Sequence, residues 1–349
     1  MKESRKSGAR TRITDLAEAA GVSVSTVDRV INGRNPVRQP TAEKVMQAAE
    51  SLGFRGAPVI ARRWSREKPA LRFGFLLLQK HRSFYQALAR DIQIAAQAST
   101  AARISVRIFY AENLAPTAVA AQIKSLGAEV DAIAIVAANH PLISAALEAL
   151  TLKGVAVFAL ISDISTAARI GYVGLDNHAV GRTAGWFISQ MARESGKVAV
   201  LVGTHRFRCQ DLNESGFRSY LREHATQFEV IEPGATLEDA NVAAELVRHL
   251  LQRHPDLRGL YIAGGGIGGA LTALRECPRA KSIATIGNDR TSAAHQGLLD
   301  GHIRLLLSHP LPALCAALIA RMTDAAQGNP DALAPCYLDL QIETPESLR

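Results

Sequence analysis

From Leu71 onward the chain alternates between short apolar runs and longer segments with a helical period. Ten runs have the character of strands, among them LRFGFLLL, DAIAIVAA and SIATIGND, and helical spacers of about ten to twenty residues separate most of them. Near-continuous apolar strands joined by crossovers of this length are typical of parallel sheets covered by helices on both faces. Ten strands are too many for one comfortable sheet, so the pattern predicts an α/β body of two lobes with doubly wound parallel sheets.

Residues 13–54 show only the helical pattern, in three short segments. Thr14 and Thr41 are candidate N-caps of the first and third helices, and Ser23 is a candidate N-cap of the second. Gly21 lies between the first two helices, where glycine tolerates the positive φ of a tight corner. Two helices joined by a glycine turn predict an all-α helix-turn-helix headpiece. The positions predicted to face inward are Leu16, Ala17, Ala20, Val27, Val30, Ile31, Val45, Ala48, Ala49 and Leu52.

Composition adds a charge asymmetry to this picture. The 349 residues carry a formal net charge of +8, and residues 1–68 alone hold 14 Lys and Arg against 7 Asp and Glu. A small basic module on a near-neutral body is the electrostatic footprint of nucleic-acid binding. The polar, basic start of the chain and the lack of any uncharged run of 18 residues argue against a secretory signal and a membrane span. Four scattered cysteines indicate reduced thiols of a cytoplasmic protein, without a metal site.

The stretch ITDLAEAAGVSVSTVDRVING resembles the head of the LacI/GalR family of bacterial transcription regulators. Its A-G-V-S-x-x-T-V-x-R-V-x-N run matches that family almost position for position. The resemblance implies base contacts from Val24, Ser25 and Arg29, of which Arg29 can bond a guanine edge bidentately. A carboxylate at Asp28 departs from the family and would repel phosphate, unless it pairs with Arg29 or Arg62 or accepts from a cytosine amino group. The positions implied to hold the DNA backbone or cap the helix are Ser23, Thr26 and Asn32.

In that family a short hinge helix follows and forms on DNA, and a leucine from each partner wedges into the minor groove. Matching ARRW to the family's A-R-S-L places Trp64 at the wedge position, with Ile60 as the alternative. Arg62 and Arg63 would contact phosphates. The resemblance therefore implies a homodimer on a palindromic, double-stranded operator.

The order and spacing of the strands over about residues 71–340 resemble the periplasmic sugar-binding-protein fold of the family's effector domain. A ligand would then lie between two lobes, at the carboxyl ends of the strands. The implied division is a basic tail at 1–12, a headpiece at 13–56, a hinge at 57–69 and an effector-binding and dimerisation domain at 70–349. Within that domain, lobe one takes about 71–161 and 293–328, and lobe two about 163–290.

Polar and aromatic residues at the predicted strand ends are the candidate ligand contacts, because sugars present hydroxyl groups and apolar ring faces. Sugar-binding relatives carry an arginine five or six residues before the aromatic of a GF pair, but counting back from Phe217 reaches an aspartate. Either a nearby arginine replaces it or the ligand differs, so a sugar, a polyol, a sugar phosphate and an acid stay open. The candidates are Phe84, Tyr85, Asn139, Asp163, Asn177, Arg206, Arg208, Asp211, Gly266 and Asp289.

The segment YIAGGGIGGAL offers a competing interpretation. Gly264, Gly266 and Gly269 have G-x-G-x-x-G spacing, and Asp289 follows 20 residues after Gly269. This is the pattern of a dinucleotide-binding loop and would suggest an NAD-binding enzyme fused to a basic head. The late position of the motif and the lack of a convincing catalytic group favour a regulator instead. We therefore expect a cytoplasmic, nucleoid-associated repressor without enzymatic activity or cofactor, whose operator affinity a small sugar controls.

Overall fold

The structure is a computed structural model that describes residues 11–32, 37–65, 68–168 and 170–347, without the side chains of Gln39 and of residues 62–65. Most of the predicted basic tail therefore lies outside the described residues. Internal contacts divide the chain into a headpiece of residues 1–69 and a body of residues 70–349.

The headpiece is built from the helices α1 (Ile13–Ala20), α2 (Val24–Asn32), α3 (Gln39–Ser51) and α4 (Ala57–Ser65). Gly21 turns the chain between α1 and α2 with a φ of 64°, as the glycine corner predicts. Apolar side chains from all four helices meet in one small core. Its fully buried members include Leu16, Val27, Val30, Val45 and Ile60.

Two of the predicted caps are wrong. Helix α1 begins one residue before Thr14, and the Asp15 carboxylate accepts a hydrogen bond from the backbone N–H of Arg12 (2.7 Å). Helix α3 begins two residues before Thr41, because Pro40 occupies its first turn, where a fixed φ favours helix initiation. The Ser23 cap is confirmed, since its Oγ accepts from the backbone N–H of Thr26 (3.2 Å).

The body has two sheets, each covered by helices. The first contains β1 (Ala70–Leu78), β2 (Arg103–Ala111), β3 (Ala132–Ile135), β4 (Ala156–Leu160), β5 (Gly171–Gly174) and β11 (Cys336–Tyr337), in the order β11-β5-β4-β3-β1-β2. The second contains β6 (Gly196–Leu201), β7 (Phe228–Ile231), β8 (Leu257–Ile262), β9 (Ala284–Asn288), β10 (Leu305–Ser308) and β12 (Gln341–Glu343), in the order β12-β10-β9-β8-β6-β7. All neighbouring strands are parallel except β10 and β12.

The helices of the body follow the strands as crossovers. They are α5 (Ser83–Gln97), α6 (Pro116–Gly127), α7 (Pro141–Thr151), α8 (Asn177–Met191), α9 (Arg208–His224), α10 (Ala240–Arg253), α11 (Ile267–Arg275), α12 (Ser292–Leu299) and α13 (Leu311–Ala326). Among the described residues, none of these helices is long and apolar enough to cross a membrane. One apolar core supports the first sheet and two support the second.

The predicted lobe boundaries need correction at two strands. We expected β5 in lobe two, but it pairs with β4 in the first sheet; we expected β10 in lobe one, but it pairs with β9 in the second. Helix α12 also packs in lobe two, so the return to lobe one begins only with α13. The chain thus passes between the lobes after β5, after β10 and between β11 and β12. Hydrogen bonding to the neighbouring strand decides sheet membership, and spacing along the sequence does not encode it.

Candidate functional site

The second helix of the headpiece presents a polar face to solvent. Val24, Ser25, Arg29 and Asn32 are exposed, whereas Val27 and Val30 of the same helix are fully buried in the headpiece core. The side chains predicted to contact DNA therefore project from one face of α2. This is the arrangement in which a recognition helix can enter a major groove.

The acidic residue in that helix has a local partner. The Asp28 carboxylate accepts a hydrogen bond from Asn32 Nδ2 (2.7 Å), one helical turn later. Among the described side chains Arg29, one of the two arginines suggested as its partner, forms no such contact. The side chains of Arg62, Arg63 and Trp64 lie outside the description, while Ile60 is 1% exposed in the headpiece core and is not free to act as a wedge in this state.

In the body, a cleft of about 120 Å³ lies between the two lobes, at the carboxyl ends of the strands. Its volume exceeds the ~30 Å³ that one water molecule occupies in the liquid. It is small beside the roughly 300–1,000 Å³ of drug-sized pockets. The cleft therefore suits a small molecule. Four of the predicted ligand contacts line it: Phe84, Tyr85, Asn177 and Asp289.

Lobe one contributes an aromatic wall to this cleft. Phe84 and Tyr85 begin α5, and their rings meet edge to face with centroids 5.2 Å apart. The Phe84 ring also meets the ring of His309 at 6.2 Å. Burial raises the pKa of Tyr85, so its hydroxyl stays neutral. The wall offers apolar surface for the C–H face of a ring together with polar edges.

Several hydrogen-bonding groups of the cleft are already occupied by the protein. Gln210 Oε1 accepts from the backbone N–H of Gly203 (2.6 Å), and Gln210 Nε2 donates to Glu238 (2.7 Å). Asn177 Nδ2 donates to the Tyr172 hydroxyl (3.1 Å). These bonds fix the side chains, so the remaining polar atoms are held in defined positions for a ligand.

Two buried acceptors at the cleft have no partner among the described residues, namely Asn213 Oδ1 and His309 Nε2. His309 Nδ1 lies 2.7 Å from Asp289 Oδ1. When Nδ1 donates to that carboxylate, Nε2 is left as an acceptor. Buried polar atoms are rarely left unpaired, and a ligand hydroxyl can donate to either one.

The Asp289 backbone is held in the left-handed region, with a φ of 61°. Its Oδ1 also accepts from the backbone N–H of His309 (2.9 Å), which fixes the carboxylate at the cleft. Ile161, on the opposite wall, has a φ of 66° although it is β-branched. Such conformations persist only where surrounding structure holds them, and they cluster at ligand sites.

An ion pair spans the two lobes at the cleft. Arg82 Nη2 of lobe one lies 2.8 Å from Glu238 Oε2 of lobe two, and the two side chains are 22% and 5% exposed. A Cβ at Gly265 would collide with both the Glu238 carboxylate and the Arg82 guanidinium. Gly264 and Gly265 line the cleft, and a Cβ at Gly269 would collide with the carbonyl oxygen of Ala240. The glycine pattern therefore has steric roles at the lobe contact and between α10 and α11.

Six predicted contacts lie outside the cleft. Asn139 and Arg206 line a neighbouring cavity, where the Asn139 N–H donates to the Arg206 carbonyl (2.7 Å). Asp163 and Arg208 form a half-exposed pair (3.8 Å). The remaining two are Asp211, exposed in the first turn of α9, and Gly266, the N-cap of α11.

The prediction missed several cleft residues, and for two of them the sequence held a signal. Phe217 and Leu221 define the buried stripe of α9. Stepping back four and seven residues from Phe217 reaches Asn213 and Gln210 on the same face. Others are chain neighbours of predicted residues. The missed polar side chains are Arg82, Cys209, Gln210, Asn213, Glu238, Asn288, Thr291 and His309.

Comparison with known proteins identifies both parts of the chain. Residues 73–330 match the periplasmic binding protein domain, and residues 12–56 match the bacterial regulatory proteins of the lacI family. The HTH-type transcriptional regulator RegA of Clostridium saccharobutylicum is 38% identical over 83 residues, 24% of each chain. The ribose import binding protein RbsB of Salmonella typhimurium is 24% identical over 174 residues, 50% of this chain and 57% of its own.

Solved structures share the fold of the body. A solute-binding protein from Burkholderia graminis in complex with D-arabinose superposes with a TM-score of 0.73 at 18% identity, covering 80% of this chain and 97% of that chain. The body is thus a two-lobed binding-protein domain. With its headpiece, the chain belongs to the lacI family of bacterial regulatory proteins. The match to RegA spans about a quarter of the length of that regulator.

Proposed function

We propose that this protein is a ligand-responsive transcription regulator. The observation that supports it most strongly is the combination, in one chain, of a lacI-family headpiece at 12–56 with a binding-protein body. The headpiece would read operator DNA through Val24, Ser25 and Arg29, while Ser23, Thr26 and Asn32 contact the DNA backbone or cap α2. The body would bind the effector in its cleft. The family is one of transcription regulators, and we propose a repressor without enzymatic activity, acting in the cytoplasm.

The effector we propose is a small neutral sugar or polyol. Among the described residues the cleft combines an aromatic wall, amide side chains and unpartnered acceptors with two carboxylates, of Glu238 and Asp289, and one arginine, Arg82. That balance does not attract a phosphate or an acid. The cations that could have done so, Arg206 and Arg208, are exposed outside the cleft.

Control of DNA binding would follow from the position of the cleft. A ligand touching both lobes stabilises the closed arrangement, and a coupling of ~1–3 kcal/mol to operator binding is enough for regulation. We propose that two copies form a homodimer on a palindromic operator. In this proposal residues 57–69 form the hinge, with Arg62, Arg63 and Trp64 on the DNA.

Fluorescence anisotropy with DNA from upstream of the protein's own gene tests the proposal. We expect salt-sensitive, sequence-selective binding that changes when sugars or polyols are added. Arg29→Ala should reduce affinity for the specific site by roughly 10- to 100-fold while leaving weak non-specific binding. Lys44→Ala, an exposed cation on α3, is the matched control. Binding without sequence preference would refute the regulator, and micromolar binding of NADH would revive the dinucleotide enzyme.

A further inference from the structure

Beside the cleft lies a second and larger cavity, which we name the outer chamber. Its volume is about 350 Å³, against about 120 Å³ for the cleft. Its polar groups are partly engaged by the protein, since Asn139 Oδ1 accepts from the backbone N–H of Ser165 (2.9 Å). The other polar side chains at its wall are His140, Thr204, Arg206 and Glu238. Most of the lining is apolar and includes Leu78, Leu114, Val119, Ile143, Phe207 and Leu237.

The outer chamber and the cleft share one wall, the Glu238 side chain. Leu237 and Glu238 are consecutive residues with φ of 54° and 63°, in the left-handed region that non-glycine residues seldom occupy. The Leu237 N–H donates to the Gly203 carbonyl (2.9 Å) and helps hold this conformation. One constrained dipeptide thus places a carboxylate in the cleft and a leucine at the outer chamber.

Leu237 is 69% exposed, although its backbone is held in a sparsely populated conformation. Such backbone strain at a cleft indicates a functional constraint. The mostly apolar walls give few partners to hydroxyl groups, so a second sugar unit would lose hydrogen bonds there. An apolar group would instead cover Leu237 and the chamber walls, which is favourable in water.

We propose that the effector is a sugar that carries an apolar substituent, such as an aryl or alkyl glycoside. Its sugar ring occupies the cleft, and its apolar group occupies the outer chamber. This inference rests on the proposed effector function of the cleft. In addition, the outer chamber would distinguish between sugars by the substituent that they carry.

Isothermal titration calorimetry on the full-length protein tests this with matched ligands. The probes are D-ribose, D-xylose, D-glucose and D-galactose, each also as its methyl and phenyl glycoside. Covering about 60 Å² of apolar surface corresponds to roughly tenfold in affinity. For the sugar that fits the cleft, the phenyl glycoside should therefore bind about tenfold or more tightly than the methyl glycoside.

The variant Leu237→Asn tests whether the phenyl group binds in the outer chamber. Asparagine tolerates a positive φ, so this exposed site should keep its backbone while losing its apolar surface. We expect the phenyl preference to fall severalfold while affinity for the free sugar or methyl glycoside is unchanged. Leu299→Asn, at a 58% exposed leucine of lobe two that lines neither cavity, should retain the full preference.

The other outcomes overturn the inference in distinguishable ways. Equal affinity for methyl and phenyl glycosides would refute an apolar substituent and leave the proposed sugar effector standing. An undiminished phenyl preference in Leu237→Asn would show that the group lies elsewhere. If no free sugar and no glycoside binds, the sugar effector itself fails and this inference with it, while operator binding remains a separate test of the regulator.

Discussion

The ion pair that joins the lobes can be tested without knowing the effector. Replacing Arg82 by glutamine removes the guanidinium of the pair and leaves the nearly buried Glu238 carboxylate facing a neutral group. The reciprocal change, Glu238→Gln, leaves a guanidinium that is 22% exposed and can turn towards water. The two single variants should therefore cost different amounts of stability.

The free-energy cost of each variant depends on the hydrogen-bond partners that the remaining charged group keeps. Breaking a buried pair by removing one partner costs about 3–5 kcal/mol. The Gln210 amide still donates to Glu238 at 2.7 Å, which places Arg82→Gln at the lower end, about 3 kcal/mol. Glu238→Gln should cost about 1–2 kcal/mol, because water replaces the lost carboxylate. We expect a coupling free energy of about 2 kcal/mol in the double-mutant cycle.

Urea unfolding of the full-length protein, followed by far-UV circular dichroism, measures these free energies. Because the pair is mostly buried, the coupling should change little between low and high salt. The matched control is Arg248→Gln, which breaks an exposed pair with Glu276 on lobe two and should cost less than about 1 kcal/mol. Equal costs for the two cleft variants with no coupling between them would refute an ion pair that holds the lobes together.

Three further outcomes are expected. Asp289→Asn tolerates the left-handed backbone but loses the charge, so effector affinity should fall roughly 10- to 100-fold in calorimetry, since hydrogen bonds to charged groups are worth about 1.5–3 kcal/mol. Operator affinity without effector should stay unchanged, and its loss would contradict the assignment. Gly269→Ala places a Cβ against the Ala240 carbonyl oxygen and should destabilise by about 2 kcal/mol or more in urea unfolding. Gly268→Ala would bring a Cβ to 3.7 Å from the Cβ of Ala293, an ordinary van der Waals contact, so it should be neutral or stabilising, and similar costs for both variants would refute the steric argument. Burial raises the pKa of Cys209 from 9.0 to about 12, so the native thiol should resist alkylation at pH 8 and react after unfolding, as peptide mass spectrometry can measure. Because the folded state holds this proton more tightly, stability should also fall as the pH rises above 9, and rapid native alkylation would contradict the raised pKa.

Patterns along the sequence predicted the features that depend on neighbouring residues. The headpiece helices and the parallel sheets follow from hydrophobic period and from glycine and serine at the corners. Asp289 was predicted at the cleft because it directly follows β9, and Phe84 because it lies in the segment after β1, where the family places stacking aromatics. Parallel strands present their carboxyl ends at one edge of the sheet. Family membership came from one contiguous motif in the headpiece.

Contacts between the two lobes could not be predicted from the sequence. Glu238 lies in a loop with no motif, and only closure against Arg82 makes it part of the cleft. Arg208 and Asp211 are polar residues at the start of α9, but both are exposed, whereas Gln210 is buried. All four residues of strand β5 are buried, and such a pattern would fit either sheet. The pattern therefore does not show that β5 pairs with β4.

The three passages of the chain between the lobes have a consequence for biosynthesis. The core of lobe one includes Leu314, Leu318 and Met322 of α13, which follow the whole of β6 to β10 in the chain. Lobe one therefore cannot complete its packing on the ribosome until nearly all of lobe two has been translated. Until then, the segments of lobe one that are made first expose part of their apolar surface. The two lobes should then mature late and together, and a nascent chain arrested before α13 should depend on chaperones that a released chain no longer needs.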